Sequence, residues 1–197
     1  MESYITIIVP VYDEQESLPS LFSKMDIFLQ QAPCNAEVLL VNDGSTDNSL
    51  QMIRTKCEEA DTYSYISFDK NYGLSSAIKA GIDNCSTPLV GYIDADLQTD
   101  PMDFISYLPY FPEFDMVNGI REKRQDSIIK ILSSKLANRY RRIMIGDGVQ
   151  DTCCPLKIMK IEYASRVPFY SGMHRFLPAL VQLLGGKVHQ LPVSLHE

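Results

Sequence analysis

Short apolar runs and helix-spaced segments alternate along the first half of the 197-residue chain. Apolar runs bounded by turn-forming residues are typical of strands that are buried on both faces of a parallel sheet. When such strands alternate with helices through short loops, they form a mostly parallel sheet covered by helices on both faces. We therefore predict an α/β fold, a three-layer α/β/α sandwich. The predicted strands are residues 4–11, 36–41, 63–68 and 89–93, and the predicted helices are residues 18–31, 49–59 and 74–84.

The second half of the chain has less regular spacing but contains no linker, repeat or low-complexity segment. Apolar residues make up 45% and charged residues 22% of the chain, as in ordinary globular domains. We therefore predict a single domain over residues 1–197. The predicted elements of the second half are a short helix at 101–110, a strand at 115–118, a long helix at 127–145, a strand or connector at 151–159, a helix at 175–184 and a strand at 187–193.

Polar, acidic loops follow three of the predicted strands, at residues 12–16, 42–47 and 94–98. Right-handed crossovers place the carboxyl ends of parallel strands along one edge of the sheet. Open α/β sheets bind their ligands at this edge. We therefore expect the three loops to converge and to form a binding site.

Asp94 and Asp96 follow directly after a predicted buried strand, and Gln98 comes next. A carboxylate beside such a strand is costly unless it is paired, solvated or bound to a metal. Two neighbouring carboxylates suit a hard divalent cation that also binds phosphate oxygens. The pattern favours a metal–diphosphate site at Asp96, supported by Asp94 and Gln98. The alternative is a pair of solvated turn aspartates that cap the helix after Pro101.

The other two loops carry side chains that suit a nucleoside. Asp43 can accept two hydrogen bonds at once from a base or a ribose, and Tyr12 and Glu14 can stack on and hydrogen-bond a nucleobase. Each residue also has a simpler interpretation. The loop of Asp43 is a turn in which Thr46 or Asp47 caps the next helix, and Tyr12 and Glu14 belong to the entry of the first helix.

The charge of the chain is unevenly distributed. The formal net charge is -7, which excludes a general nucleic-acid-binding protein. Residues 121–142 nevertheless contain eight Lys or Arg and two Asp or Glu, a local charge of +6. Such a segment favours an anionic partner, either phosphates or an anionic membrane surface. A charge run on a helix is more often a solvated face, but the local imbalance favours a function, for Arg121 and Arg124 in particular. The candidates for binding the anion are Arg121, Arg124, Lys130, Arg139, Arg141 and Arg142.

Three motifs follow one another along the chain: Val9–Glu14 (VPVYDE), Val41–Asp47 (VNDGSTD) and Asp94–Gln98 (DADLQ). Together they resemble the family 2 glycosyltransferases of GT-A fold, which is a Rossmann-like sandwich. The DADLQ form and the stretch Gly119–Ser127 (GIREKRQDS) more narrowly resemble the polyprenyl-phosphate glycosyltransferases, of which dolichyl-phosphate mannose synthase is the best known. Leu132–Lys135 (LSSK) matches the same branch.

The resemblance implies an inverting transfer of a sugar from a UDP- or GDP-linked sugar to polyprenyl phosphate, with Mg2+ or Mn2+ as cofactor. It assigns the nucleoside to Pro10, Tyr12, Glu14 and Asp43. It assigns the metal and the diphosphate to Asp94, Asp96 and Gln98. It assigns the acceptor phosphate to Arg121, Lys130 and Ser134. Arg124 of the basic segment is a further candidate for binding this phosphate.

Two other functions are compatible with these residues. A related enzyme that glycosylates a sugar hydroxyl of a cell-surface polysaccharide needs a carboxylate base, for which Asp151 is the candidate. A non-catalytic nucleotide-binding domain is the second alternative. The match to the family is weaker on the acceptor side, where residues 151–155 replace a glycine-containing stretch. Asp13 stands where the family usually has Asn, and Asn42 where many members have Asp.

Membrane association is expected from the resemblance and not from an apolar segment of this chain. No run of eighteen apolar residues is present. The five cysteines are scattered and show no CxxC spacing, which indicates reduced thiols in a cytosolic setting. Relatives continue beyond the position of His196 and Glu197 with a basic segment and often with membrane helices. We therefore expect a soluble fragment of a longer protein that acts at the cytoplasmic side of a membrane.

Overall fold

A computed structural model describes residues 4–111, 113–121 and 151–193 of the chain. The strands are β1 (Ile5–Val11), β2 (Ala36–Asn42), β3 (Tyr63–Ser67), β4 (Leu89–Tyr92), β5 (Met116–Arg121), β6 (Lys157–Lys160) and β7 (Val188–Val193). The α-helices are α1 (Leu18–Gln31), α2 (Ser49–Glu59), α3 (Leu74–Asp83), α4 (Asp103–Tyr107), α5 (Ile161–Ala164) and α6 (Leu177–Leu183). The 3₁₀ turn Leu108–Tyr110 extends α4, and the 3₁₀ turn Met173–Phe176 leads into α6.

The elements of the first half match the sequence prediction to within one residue at each boundary. The second half differs more. Strand β5 continues to Arg121, beyond the predicted end at residue 118, because β7 runs beside it as far as Val193. Helix α6 begins at Leu177 and not at the predicted residue 175, with Pro178 in its first turn, where proline is favoured. The predicted helix at 127–145, which contains Lys130 and Ser134, lies outside the described residues, and so does Arg124.

The strands of the described residues form one sheet in the order β3-β2-β1-β4-β6-β5-β7. Every neighbouring pair is parallel except those of β6, which runs antiparallel to β4 and to β5. The mostly parallel sheet predicted from the sequence is therefore confirmed. Residues 151–156 are a connector, and only from Lys157 does this segment enter the sheet.

Helices cover both faces of the sheet, as the strand composition requires. All seven residues of β1 are buried, and Ile7 and Ile8 belong to separate clusters on opposite faces. The cluster around Ile7 contains residues of α1, α2 and α4, and the cluster around Ile8 contains residues of α3, α5 and α6. Each fully buried isoleucine or leucine contributes roughly 1.5–3 kcal/mol relative to an exposed one. Two apolar layers thus hold the sandwich together.

The chain reverses its direction of travel across the sheet at β1. From β1 it moves outward to β2 and β3, and α3 then returns it to β4 on the other side of β1. Pairing of β1 with β4 ends where the Ile93 amide donates to the Ile8 carbonyl at 3.2 Å. On the β2 side, Val11 still accepts a bond from Asp43, at 2.8 Å. Because backbone polar groups alternate between neighbours, Pro10, which has no N–H, faces the side on which β4 has diverged. This divergence opens a cleft between the two strands.

Candidate active site

A cleft of about 310 Å³ lies at the carboxyl edge of the sheet, above the divergence of β1 and β4. This is the place where doubly wound sheets bind ligands. The predicted convergence of the three polar loops is therefore confirmed, because each contributes to the wall of the cleft. The lining residues are Pro10, Val11, Tyr12, Glu14, Asp43, Asn71, Gly73, Leu74, Asp94, Ala95 and Asp96.

Hydrogen bonds join the loop after β1 to the loop after β2. The Asp13 carboxylate accepts from the backbone N–H groups of Thr46 and Asp47, at 2.7 and 3.3 Å. The Ser45 hydroxyl accepts from the Asp13 amide at 3.1 Å. Asp13 has a φ of 54°, in the left-handed region that only a well-supported non-glycine residue occupies. Asp13 thus joins the loops after β1 and β2 into one rim.

The simpler interpretations of this rim are borne out only in part. The residue before α2 is Asn48, whose side chain makes no capping hydrogen bond, whereas Asp47 accepts the amide of Ser49, the first residue of α2, at 2.9 Å. The Glu14 carboxylate accepts from the Ser17 hydroxyl at 2.6 Å, just before α1. Glu14 nevertheless lines the cleft, and the Tyr12 side chain is exposed at its edge. The helix-entry role therefore coexists with access to a ligand.

Asp43 fastens the loop before α3 against the rim. Asp43 is 3% exposed, and its carboxylate accepts the backbone N–H groups of Tyr72 and Gly73, at 2.7 and 2.9 Å. Since a carboxylate has about four lone-pair sites, acceptor capacity remains for a ligand in the cleft. The next residue, Gly44, has a φ of 69°, and a Cβ there would lie 2.2 Å from the Lys70 carbonyl carbon. This close approach of two backbones requires glycine.

The loop before α3 is the part of the cleft that the sequence prediction missed. Asn71, Gly73 and Leu74 line the cleft, whereas the sequence indicated only a turn and a helix start at this place. The available signal was position, because the loop follows the carboxyl end of β3 and parallel strands direct such loops to one edge.

Asp94 is partly buried beside the cleft, whereas Asp96 is exposed. Burial raises the pKa of Asp94 and the nearby charge of Asp96 acts in the same direction, while a hydrogen bond from the Tyr92 hydroxyl opposes them. Asp96 accepts the backbone amide of Gln98 at 3.1 Å. Leu97 between them has a φ of 59°, a second left-handed non-glycine residue at the site. The strained turn holds two carboxylates next to each other at the cleft wall.

The donor set of this turn fits a divalent cation that is shared with a ligand. Within residues 4–111, 113–121 and 151–193, no group of three or more His, Cys, Asp or Glu side chains forms a metal cage. Mg2+ typically uses one or two carboxylates and completes its shell with substrate phosphates and water. Asp94 and Asp96 supply such carboxylates. Gln98 is exposed and is not among the residues that line the cleft.

Arg121, at the end of β5, forms a bidentate ion pair with Asp151. Arg121 Nε lies 2.7 Å from Asp151 Oδ2, and Nη2 lies 2.9 Å from Oδ1. The backbone amides of Arg121 and Cys153 donate to the same carboxylate, at 3.3 and 3.1 Å. Burial alone would lower the pKa of Arg121, but the Asp151 contacts outweigh it and raise the pKa. These bonds occupy the roughly four lone-pair sites of Asp151.

Outside the cleft, His174 Nδ1 lies 2.9 Å from the Ser75 hydroxyl of α3. The Gly172 amide donates to the same hydroxyl at 2.9 Å, so this contact fixes the turn before α6 against α3. None of the helices in the described part of the chain combines the length and the apolar character needed to cross a bilayer.

Solved structures share this fold over nearly the whole chain. A mannosyltransferase from Pyrobaculum calidifontis, solved with GDP-mannose and Mn2+, superposes with a TM-score of 0.69 at 17% identity, covering 100% of this chain and 57% of the other. Glucosyl-3-phosphoglycerate synthase from Mycobacterium tuberculosis, solved with UDP, gives 0.72 at 17% identity, covering 99% and 72%. Mannosyl-3-phosphoglycerate synthase from Rubrobacter xylanophilus gives 0.76 at 15% identity, covering 98% and 66%. The α/β sandwich is thus of the GT-A type.

Sequence relatives narrow the comparison. The undecaprenyl-phosphate 4-deoxy-4-formamido-L-arabinose transferases of Salmonella choleraesuis (strain SC-B67) and Salmonella newport (strain SL254) are each 32% identical to this chain. The match covers 96% of this chain and 58% of each relative, so the chain spans little more than half their length. Residues 6–167 match the family model of glycosyl transferase family 2. The chain therefore belongs to glycosyl transferase family 2.

Proposed function

We propose that this chain carries the site of an inverting glycosyltransferase that transfers a sugar from a nucleoside-diphosphate sugar to polyprenyl phosphate. The observation that carries the proposal is that Asp94 and Asp96 line the same cleft as Asp43 and Tyr12. A carboxylate pair for a metal-bound diphosphate and a rim for a nucleoside thus belong to one cavity. The sequence relatives, named for transfer to undecaprenyl phosphate, support the choice of acceptor.

The nucleoside occupies the part of the cleft formed by the first two loops. The exposed ring of Tyr12 offers a surface on which a base can stack. Asp43 accepts N–H or O–H groups of a base or a ribose with the lone pairs that Tyr72 and Gly73 do not use. Pro10 and Glu14 complete this wall. The base is uracil or guanine, in line with the UDP and GDP-mannose complexes of the structural neighbours.

Asp94 and Asp96 hold the diphosphate through Mg2+ or Mn2+, with Gln98 at the end of the same turn. A bound divalent cation neutralises charge on a leaving diphosphate, which makes a protein acid unnecessary there. Asp94 is held in place by the Tyr92 hydroxyl, and Asp96 by its bond to the Gln98 amide. Mn2+ in complexes of the structural neighbours supports this cofactor.

Arg121 positions the acceptor phosphate. A phosphate monoester has its second pKa near 6, so it is already an anionic nucleophile at neutral pH and does not need a strong base. It needs a cation, and Arg121 is held by Asp151 in one fixed orientation. Arg124, Lys130 and Ser134 are further candidates from the basic segment. A single direct displacement by the phosphate oxygen inverts the anomeric centre.

The ion pair of Arg121 also argues against the hydroxyl-acceptor alternative. A sugar hydroxyl needs a base, and Asp151 can act as one only if it gives up bonds to Arg121. A phosphate acceptor makes no such demand. Arg121 and Asp151 therefore favour the lipid phosphate over a polysaccharide hydroxyl.

The complete protein works at the cytoplasmic face of a membrane, where nucleotide sugars meet polyprenyl phosphate. The local charge of +6 over residues 121–142 suits an anionic membrane surface. The location at the membrane and the contact with its surface are both inferred from the proposed acceptor, a lipid phosphate.

A screen of UDP- and GDP-sugars with the complete protein tests this function. Each donor is incubated with polyprenyl phosphate, with the dephosphorylated polyprenol and with an oligosaccharide, in the presence of Mn2+ or of a chelator. We expect one donor to form a glycolipid with polyprenyl phosphate, and not with polyprenol or the oligosaccharide, and we expect the chelator to abolish this reaction. Transfer to the oligosaccharide would favour the hydroxyl acceptor. Nucleotide binding without transfer to any acceptor would favour a non-catalytic domain.

A further inference from the structure

Lys157 is a buried lysine that the sequence prediction did not single out. It is the first residue of β6 and is 1% exposed, although lysine is among the residues that are most rarely buried completely. Burial lowers the pKa of Lys157, and the nearby groups of Cys154, Asp151 and Asp94 oppose this effect. A buried ammonium is unfavourable for folding unless its surroundings compensate the charge. The neighbours of Lys157 in the sheet indicate its role.

A row of three polar side chains crosses the sheet at Lys157. Lys157 pairs with Tyr92 of β4 on one side and with Asn118 of β5 on the other, so all three side chains share one face. Lys157 Nζ lies 5.8 Å from the centre of the Tyr92 ring, within the range of a cation–π interaction. Asn118 Nδ2 donates to the carbonyls of Gly119 and Asp151, at 2.7 Å each. These contacts fix the row in place.

The row joins the two halves of the proposed site. At its β4 end, the Tyr92 hydroxyl donates to Asp94, on the donor side. At its β5 end, Asn118 holds the backbone of Asp151, whose carboxylate holds Arg121 on the acceptor side. Asn118 Oδ1 is buried and has no hydrogen-bond partner among the described residues. By strand register, Lys157 therefore lies between Tyr92, which holds Asp94, and Asn118, which holds Asp151.

We propose that Lys157 is a positioning residue for sugar transfer, and that its ammonium supplies a fixed positive charge between the sites of the donor diphosphate and the acceptor phosphate. The inference rests on the proposed function, in which both reactants are anions that must approach each other. A fixed charge in a region of low dielectric acts more strongly than a solvated one and needs no reorganisation during the reaction.

Packing alone does not explain a lysine at this place. A methionine fills a similar volume without a charge, and burial lowers the pKa of Lys157 despite the nearby groups of Cys154, Asp151 and Asp94, so the ammonium is unfavourable for stability where it lies. If Lys157 served only as a core residue, its charge would destabilise the fold and would contribute nothing to the rate of transfer. The inference therefore predicts that stability and turnover respond to its replacement in opposite or unrelated ways.

The test compares Lys157→Met and Lys157→Arg with Lys160→Met in the complete protein. Lys160 is the matched control, because it lies at the other end of β6 and pairs with Asp115 at 2.7 Å. Three quantities are measured for each variant: the melting temperature, the dissociation constant of the nucleoside diphosphate with Mn2+, and the kcat and KM of transfer to polyprenyl phosphate. Wild-type protein provides the reference for each quantity.

For Lys157→Met we expect an unchanged or higher melting temperature and nucleotide binding within about threefold of wild type. We expect kcat to fall about 100-fold or more, the usual size of the loss of one preorganised electrostatic contact. Lys157→Arg restores a large part of kcat because it keeps the charge, and Lys160→Met keeps wild-type kcat.

Wild-type kcat in Lys157→Met would overturn the inference while leaving the proposed function intact. Unfolding of Lys157→Met would overturn it as well, since it would show that the lysine is needed for the fold. Failure of the wild-type protein to glycosylate polyprenyl phosphate with any UDP- or GDP-sugar would instead be a failure of the proposed function, on which the inference depends.

Discussion

Arg121 binds both carboxylate oxygens of Asp151 through one edge of its guanidinium group, at 2.7 and 2.9 Å. This edge uses the Nε–H and one N–H of Nη2. The guanidinium has five N–H donors, so three remain, the second N–H of Nη2 and both of Nη1. Arg121 can therefore bind a phosphate while it keeps Asp151, whereas Asp151 cannot become a free base without losing Arg121. In this ion pair Asp151 orients Arg121 for binding a phosphate.

Asp151→Asn should reduce the use of the lipid phosphate without affecting the donor. The amide keeps the size of the side chain but loses the charge that orients Arg121, and we expect kcat/KM for polyprenyl phosphate to fall about 10- to 100-fold, because hydrogen bonds to charged groups contribute roughly 1.5–3 kcal/mol. Nucleotide affinity should stay within experimental error. The measurement is steady-state kinetics with varied acceptor.

Asp83→Asn is the control for this experiment, because Asp83 forms an exposed ion pair with Lys79 in α3. Two results together would identify Asp151 as a base and would contradict this interpretation. The wild-type protein would transfer the sugar to non-phosphorylated acceptors, and the rate of transfer would fall about 10⁴-fold or more in Asp151→Asn.

Asp43→Asn should weaken both the fold and nucleotide binding. The amide group can accept bonds through one oxygen only, whereas Asp43 accepts the amides of Tyr72 and Gly73 through different oxygens. One buried N–H is then left without a partner, which costs about 1–3 kcal/mol. Urea unfolding should detect this loss, and calorimetry should show at least about tenfold weaker binding of the nucleoside diphosphate, equivalent to 1.4 kcal/mol. Unchanged affinity would remove Asp43 from the nucleotide site.

Gly44→Ala should destabilise the protein much more than Gly185→Ala. Both glycines have positive φ, 69° and 89°, but a Cβ at Gly44 would lie 2.2 Å from a backbone carbon of Lys70, whereas one at Gly185 would meet nothing within 4 Å. Backbone strain alone costs about 1–3 kcal/mol, and we expect Gly185→Ala to fall at the low end of this range. The overlap at Gly44 adds a loss of about 1–3 kcal/mol. Equal losses in chemical denaturation would contradict the close approach of the two loops.

The fold and part of the site could be predicted because they depend on local sequence. The strands β1, β2 and β4 are mostly apolar, and polar loops follow them. Since parallel strands place their carboxyl ends on one edge, the sequence alone is enough to predict that Asp43 and Asp94 lie at the same site.

The rest of the site depends on contacts between distant segments. Arg121 and Asp151 are 30 residues apart, and nothing in either local pattern indicates a bidentate pair. Strand β6 enters the sheet between β4 and β5 and runs against both, which no local pattern in the sequence indicates. For this reason Lys157 could not be placed next to Tyr92.

Acid should weaken the bonds that the Asp115 carboxylate, just before β5, forms with Lys160 and Lys187. Burial alone would raise the pKa of Asp115, but bonds from the Lys160 ammonium and the Lys187 amide, at 2.7 and 2.9 Å, outweigh it and lower the pKa. A carboxylate whose pKa is lowered in the folded state stabilises the fold above the ordinary value of about 3.9, and this contribution is lost as the pH falls through the folded-state pKa.

We therefore expect Asp115→Asn to be about 1 kcal/mol less stable than wild type at pH 7, as for a partly exposed ion pair. The difference should shrink as the pH falls below about 4. Urea unfolding of both proteins across this pH range checks the prediction. A difference that is constant with pH would show that the charge of Asp115 does not contribute.

The most direct test of the central claim is transfer of a labelled sugar to polyprenyl phosphate by the complete protein, with Asp96→Asn and Asp83→Asn compared side by side. We predict a metal-dependent glycolipid in wild type and in Asp83→Asn, and at least about a 100-fold loss in Asp96→Asn, with all three proteins folded. Equal transfer by Asp96→Asn, or transfer by wild type that persists in a chelator, would contradict the assignment of this cleft as the metal and diphosphate site.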